Sequence, residues 1–519
     1  MLVLVLMGLV LIGAVLDPML TLGVVIGVCI AFYAAFALLK LVVTVAGRGH
    51  QPLERIPLTS RDRLPRYGIL LPVYHEANML PQLVGRVGQL DYPTELLRAY
   101  LLIEADDEET LAAARGLGLR FHGDGGGDAD TDTDASRIVG RYDHFRVVVI
   151  PPGGPKTKPN AMNAAMPLLV AEGCKYLTIY DAEDRPEPDQ LLKAVGTFRA
   201  APRDIACVQS ELEFWNDDTN WITALYWIGY KVHFRRFLPG LARLGLPVPL
   251  GGTSNHFRVS ALLDAALPNG DVWDPHNLTE DADLAARLVS AGYRIELLSS
   301  VTLEEAPVSI RVVDKQQRRW KGGYLQTGLV HTRHPLRTAR RMGPMRWLCF
   351  ILMMIGTPVT YLLNPVFLGL SVAYVVTGSQ YIDRLFPAAV YYPATMLLVI
   401  GNFGILYELV RTCLEEAERT RGRFGLIRYM FFAQVMWLWM SRSTYIAVFE
   451  FITGRRGWHK TPHGHEVPDD DDIFLHLPAQ QSAHQAPHQP SYQPAYAAET
   501  PVSTAASAEF SVSAKGGLG

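Results

Sequence analysis

Asp181-Ala182-Glu183-Asp184 crowds three carboxylates into one tetrapeptide. Like charges this close need a cation or a proton to coexist. Carboxylates two apart on an extended strand end can bind one Mg²⁺ or Mn²⁺ and leave its other positions open for phosphate oxygens. A solvated acidic loop leading into a helix at Pro188 would show the same composition. Lys158, within PKTKPNAMN, falls at a predicted helix start, where its ammonium and the helix dipole both favour a phosphate; on its own it also suits an ordinary surface position. Thr279-Glu280-Asp281 opens a helical stretch running to about Ser290, with Thr279 placed to cap it. Asp281 and Asp283 suit a first helical turn by charge alone, but a carboxylate held there can also take the proton from an attacking sugar hydroxyl. Gln316-Gln317-Arg318-Arg319-Trp320 offers guanidinium donors suited to a diphosphate and an indole face on which a pyranose can stack. A basic amphipathic segment approaching a membrane would read alike.

These residues need elements to hold them. Tyr67–Tyr74, Ala99–Ala105, Phe145–Ile150, Tyr176–Tyr180 and Ile205–Gln209 have the length and apolar content of strands, and Ala77–Gln89, Pro159–Val170 and Pro188–Arg199 read as helices between them. The alternation predicts an α/β domain with a largely parallel sheet, whose ligands sit beyond the carboxyl ends of the strands. Polar residues gather there: Tyr74, His75 and Glu76 after the first strand, Asp106 and Asp107 after the second, Asp181, Glu183 and Asp184 after the fourth. The acidic stretch Gly123–Ser136 lacks the glycine and glutamate spacing of a helix-loop-helix calcium site and reads as a solvated insertion. His256 is expected to be structural.

The chain has 519 residues, 49% hydrophobic and 19% charged, which is poor in charge for a wholly soluble protein. With 48 basic against 51 acidic side chains there is no global charge to attract nucleic acid. The five cysteines show no CxxC spacing, so neither a disulfide framework nor a zinc site is indicated. Met19–Leu39 is uncharged and long enough to cross a hydrocarbon core of about 30 Å; Met1–Leu16 precedes it across Asp17-Pro18, so a helical hairpin is expected. Without a basic n-region the segment reads as an anchor, not as a cleaved signal. Further spans are expected at Trp347–Val376, interrupted by Asn364-Pro365, at Ala388–Val410 and at Ile427–Phe451. Arginines flank the central region on both sides, Arg48 to Arg66 and Arg333 to Arg346, which places it in the cytoplasm by the positive-inside rule. The expected organisation is an N-terminal membrane segment (1–46), a cytoplasmic catalytic domain (47–332), a basic interfacial segment (333–346), membrane helices (347–453), a cytoplasmic segment (454–477) and a disordered tail (478–519).

In their order, LPVYHE (71–76), EADDEET, TKPNAMN, YDAEDRPEPDQL, GGTSNHF, LTEDADLAARL and QQRRWKGGYLQT resemble the membrane-integrated processive family 2 glycosyltransferases, the group of cellulose, curdlan, chitin and hyaluronan synthases. The likeness covers about Gly68 to Gln326, and WHKTPHG (458–464) is reminiscent of the same enzymes. It implies a GT-A nucleotide-diphosphosugar fold joined to an α-helical transmembrane domain. Tyr74, Glu76 and Asp106 or Asp107 would surround the nucleotide, and Lys158 the diphosphate. Asp181 and Glu183 would take the metal-binding DxD place, with Mg²⁺ or Mn²⁺ as cofactor, and Asp281 would be the general base. Gln316, Arg319 and Trp320 resemble QxxRW, which with Glu280 would hold the diphosphate and the end of the growing glycan. Glu183 stands where many relatives have Asp. The implied activity is an inverting, processive β-glycosyl transfer from a nucleotide sugar, UDP-glucose by default, at the inner membrane, with export and accessory subunits as further implications. A non-processive transferase using a lipid acceptor and a catalytically silent membrane scaffold are the alternatives. No PilZ-type signature accompanies Arg419 and Arg423.

Overall fold

The computed structural model describes residues 2–50, 52–53, 56, 58, 63–123, 142–397, 404–420, 429 and 432–454, all within a compact unit spanning Met1–Asp470. The acidic insertion beyond Gly123, the flanking Arg55 and Arg61, the Arg419 side chain, Arg423, WHKTPHG and the 478–519 tail lie outside the described residues.

Among the described residues, eight strands form one sheet: β1 (Tyr67–Val73), β2 (Leu97–Glu104), β3 (Phe145–Ile150), β4 (Tyr176–Ile179), β5 (Arg185–Pro186), β6 (Ile205–Phe214), β7 (Asn255–Arg258) and β8 (Arg294–Glu304), in the order β3-β2-β1-β4-β7-β6-β8-β5. The five expected strands are all present. The sheet is largely parallel, as expected, but mixed: β7 runs antiparallel between β4 and β6, and β5 antiparallel on β8, while the other six strands run in one direction. β7 escapes a hydrophobicity reading because Asn255 and His256 are fully buried polar residues. His256 exchanges hydrogen bonds with the Tyr67 hydroxyl (2.7 Å) and Gln190 Oε1 (3.1 Å), which is how a polar strand is accommodated in a core.

Along β1, Tyr67, Ile69, Leu71 and Val73 enter one core layer and Leu70 the other. Burial on both faces explains why this strand is a continuous apolar run. One layer is covered by α3 (Leu80–Val87), α4 (Glu108–Gly116) and α6 (Gln190–Ala200). The other holds α5 (Lys158–Ala171), α8 (Leu238–Arg243), α9 (Val259–Asp264) and α10 (Glu280–Ser290). Between β6 and β7 the chain also forms α7 (Trp221–Val232) and a π turn, His233–Phe237.

At the N-terminus α1 (Leu2–Leu16) and α2 (Pro18–Ala46) are divided at Asp17, whose carboxylate caps α2 by accepting from the Leu20 N–H at 2.9 Å. After the sheet come α11 (Ile310–Thr332), α12 (Pro335–Met342), α13 (Pro344–Thr377), α14 (Gln380–Leu385), α15 (Ala388–Leu397), α16 (Gly404–Thr420) and α17 (Ala433–Thr453). Among the described residues, α2 and α13 are long and apolar enough to cross a membrane. α13 passes through Asn364-Pro365 without the expected interruption; a proline removes one amide donor, which a helix packed against neighbours tolerates. The other two expected spans, 388–410 and 427–451, lie partly outside the described residues; of their described parts, α16 carries Glu408 paired with Arg48, and α17 carries Arg442 and Glu450, bonded to Asp314 (3.1 Å) and Arg318 (2.9 Å) of α11.

Candidate active site

Residues far apart in the chain converge on a cavity of about 700 Å³ that opens beyond the carboxyl ends of β1, β2 and β4. Tyr74, Glu76, Lys158, Asp181, Glu183, Glu280, Asp281, Gln316, Arg319 and Trp320 all line it.

Lys158 opens α5, with Thr157 as N-cap and Pro159 in the first turn. Its ammonium binds the Asp181 carboxylate and the Gly252 carbonyl (3.0 Å). Burial opposes that charge, but the carboxylates of Asp181 and Glu280 outweigh it and raise the lysine above its ordinary value.

The acidic tetrapeptide divides its work. Asp184 is buried, accepts from the Asp181 N–H (2.8 Å) and the Thr253 hydroxyl, and so fastens the turn to the Gly252-Thr253 loop. Asp181 and Glu183 face the cavity. Burial, then Asp181 and Glu76, push Glu183 up to about 8. Burial, Asp181 and Glu183 likewise drive Asp184 well upward. The expected mutual repulsion is therefore present. Glu304, at the end of β8, joins the group: it lines the cavity and is raised by burial and by Asp184, Glu183 and Asp181. Sequence reading missed it because β8 was not recognised; an acid ending that strand is the signal that would have found it.

No group of three or more His, Cys, Asp or Glu side chains among the described residues is arranged to hold a metal ion by itself. The oxygen donors of Asp181 and Glu183, whose negative charges cannot coexist without a proton or a cation, fit a hard divalent cation whose remaining positions phosphate oxygens would take.

Asp281 lies in the first turn of α10, accepts from the Ala282 N–H at 2.8 Å and sits against Gly252, where a Cβ would come within 3.4 Å of its Oδ2. Burial raises it to about 6, while Lys158 and Arg319 pull the other way. Burial and the Asp281 charge raise neighbouring Glu280 to about 8. Thr279 does not cap α10 through its side chain. Its hydroxyl instead meets that of Thr327 on α11 at 3.1 Å, tying the two helices together beside the carboxylates. The Gln316 Oε1 is buried without a hydrogen bond, an acceptor available to a ligand hydroxyl.

The two consecutive aspartates after β2 have different surroundings. Asp107 is fully buried, caps α4 through the Thr110 N–H (3.2 Å), and accepts from the His75 N–H at 2.5 Å. His75 has φ 52°, left-handed for a non-glycine residue, so Asp107 stabilises the turn that presents Tyr74 and Glu76. Asp106 is exposed and pairs with Lys156 at 2.5 Å, and Lys156 lines the cavity. Glu104, the last residue of β2, lines the cavity directly and was not anticipated.

Residues 176–405 match the family described as Glycosyl transferase family group 2. The chain is 24% identical over 263 residues to the probable glucomannan 4-beta-mannosyltransferase 1 of Arabidopsis thaliana, covering 50% of this chain and 43% of that protein. It is 25% identical over 295 residues to glucomannan 4-beta-mannosyltransferase 1 of Oryza sativa subsp. japonica, covering 56% and 52%. The chain thus spans about half the length of the curated relatives it matches. Among solved structures, the mannosyltransferase PcManGT from Pyrobaculum calidifontis, in complex with GDP-Man and Mn²⁺, aligns over 84% of this chain and 100% of its own, with a TM-score of 0.53 and 16% identity. That likeness establishes a GT-A-like fold with a mixed sheet.

Proposed function

We propose that the chain, whose residues 176–405 match the family described as Glycosyl transferase family group 2, is a glycosyltransferase that transfers a hexose, with inversion, from a nucleoside-diphosphate sugar to a glycan acceptor, repeatedly and at a membrane. The observation that carries this reading is the shared cavity of Asp181, Asp281 and Trp320.

In the proposed reaction the donor diphosphate lies between Lys158 at the start of α5 and Arg319 on α11. Asp281 takes the proton from the acceptor hydroxyl as that oxygen attacks the anomeric carbon, and the bond to the leaving phosphate breaks on the opposite face, giving a β-linkage. Asp181 and Glu183 would hold Mg²⁺ or Mn²⁺, which when bound neutralises charge on the leaving diphosphate. Trp320 offers its face to the acceptor sugar, and Gln316 Oε1 accepts from one of its hydroxyls. Tyr74, Glu76 and Glu104 lie where the nucleoside would sit, at the ends of β1 and β2. α2 and α13 would anchor the enzyme in the bilayer with the sheet domain on the cytoplasmic side.

The glucose donor expected from the sequence has less support than mannose. The named relatives are mannosyltransferases, and PcManGT was captured with GDP-Man. Incubating the purified full chain with radiolabelled GDP-mannose, UDP-glucose or UDP-N-acetylglucosamine and each metal, then digesting the product with linkage-specific hydrolases, tests the proposal. A β-linked polymer from one donor is the expected result; free sugar or a single-residue product with every donor overturns the processive reading.

A further inference from the structure

Beyond the carboxylates, the cavity continues between α2, α11 and α13, where Tyr33, Phe36, Lys40, Lys321, Tyr324 and Tyr361 line it. The transfer scheme leaves two cations there unused. Lys321 follows Trp320 on α11 and is only 5% exposed. Its ammonium lies 4.3 Å from the Tyr361 ring centroid and 5.8 Å from that of Tyr324. Neither it nor Lys40, whose ammonium lies 5.2 Å from the Phe36 ring centroid, has a hydrogen bond or a carboxylate partner among the described residues.

This is unusual within the molecule itself. Buried Lys231 is paired with Glu211 (3.1 Å) and Glu213 (2.5 Å), and Lys158 with Asp181. Burying an ammonium without a counter-ion is costly, and the aromatic faces offset only part of that cost. Burial and the Lys40 charge together lower Lys321 to about 7, as expected for a site that lacks its anion. Tyr324 links this end to the reacting end: its hydroxyl is raised by burial, by Asp281 and by Tyr361.

We propose that Lys321 and Lys40 form an anion subsite for the acceptor, one that takes a phosphate or carboxylate group while the acceptor hydroxyl reaches Asp281. The inference rests on the cavity being the transfer site and specifies the acceptor as a charged one. A lipid phosphate entering between α2 and α13 and an acidic sugar of the glycan present the same chemistry.

Equilibrium binding needs no turnover, so it separates this proposal from the transferase reading. The full chain in neutral detergent is titrated with dodecyl phosphate, with a glucuronate-terminated oligosaccharide, and with their uncharged counterparts, dodecyl glucoside and the neutral oligosaccharide. At least one charged probe should bind more tightly than its neutral partner, and which one does identifies the source. Lys321→Gln should weaken that binding about tenfold or more, the loss of a charge-assisted contact, and Lys321→Arg should restore most of it. Donor binding, followed separately with the nucleoside diphosphate, should not move. If Lys321→Gln does not fold, Lys40→Gln is the second probe. Equal binding of charged and neutral probes, or a charge preference that survives both substitutions, overturns the subsite. Loss of donor binding by wild-type protein would instead overturn the transferase reading.

Discussion

Asp281 and the acidic pair Asp181/Glu183 line one cavity, yet the proposal gives them different tasks, and their surroundings make the tasks separable by experiment. If Asp281 is the base, Asp281→Asn keeps shape and polarity but cannot take a proton, so kcat should fall about 10²–10⁴-fold with donor affinity retained. Because burial raises Asp281 to about 6, the active, deprotonated form accumulates as pH rises, and kcat/KM should climb between about pH 5 and 7. A flat profile there would remove Asp281 from the role. Glu183, at about 8, lies above the usual carboxylate value of about 4.3. Its proton is favoured in the folded state, so its contribution to stability is lost as pH rises from about 4 towards 8. A divalent cation relieves the same repulsion. Mn²⁺ should therefore raise the Tm more at pH 8 than at pH 5, and Glu183→Gln should shrink the difference. Trp320→Ala should raise the acceptor KM and shorten the product, with Trp320→Phe recovering part of both, as chain-length analysis would read directly.

The elements hold these side chains through contacts that tolerate little added volume. A Cβ on Gly323 of α11 would lie 2.5 Å from Thr279 Cγ2 and 3.0 Å from the Thr279 backbone nitrogen. Gly323→Ala should push α11 away from the start of α10 and cost about 1–3 kcal/mol by overpacking, lowering kcat while nucleotide binding at β1 and β2 persists; a thermal melt and a donor titration check both halves. α2 crosses α8 more closely still, since a Cβ on Gly240 would meet the Val43 carbonyl oxygen at 1.8 Å. Glycine is thus required for α2 to seat on α8. Strand positions were readable because β1, β2 and β4 are buried on both faces and show it as apolar runs. β7 was not, since its burial is secured by hydrogen bonds of His256, and the Thr279 cap failed because a tertiary partner, Thr327, takes its hydroxyl instead.

For the whole molecule, the outward faces of α1, α2 and α13 leave large apolar side chains uncovered, among them Leu16, Leu20, Val375 and Val376, all more than half exposed. Such a surface calls for lipid or another apolar partner. The protein should stay with membranes through an alkaline carbonate wash, and release by that wash would argue against insertion. α11 joins the two regions: Trp320 lines the cavity, Arg318 bonds Glu450 of α17 at 2.9 Å, and Gly328 packs on Ile355 of α13. The helix that presents QxxRW is therefore held by α13 and α17.

Residue types and their order along the chain determined that this protein has strand-end carboxylates, a helix-start lysine, a helix-start aspartate and an Arg-Trp pair suited to sugar transfer, because each depends on local chemistry and spacing. Only the tertiary structure decided that they share one cavity, that Glu104 and Glu304 belong with them, that Asp107 supports a strained turn, and that Lys321 and Lys40 have no carboxylate partner among the described residues. Those facts depend on which distant segments become neighbours, and burial and charge acquire their values only when the chain has closed around them.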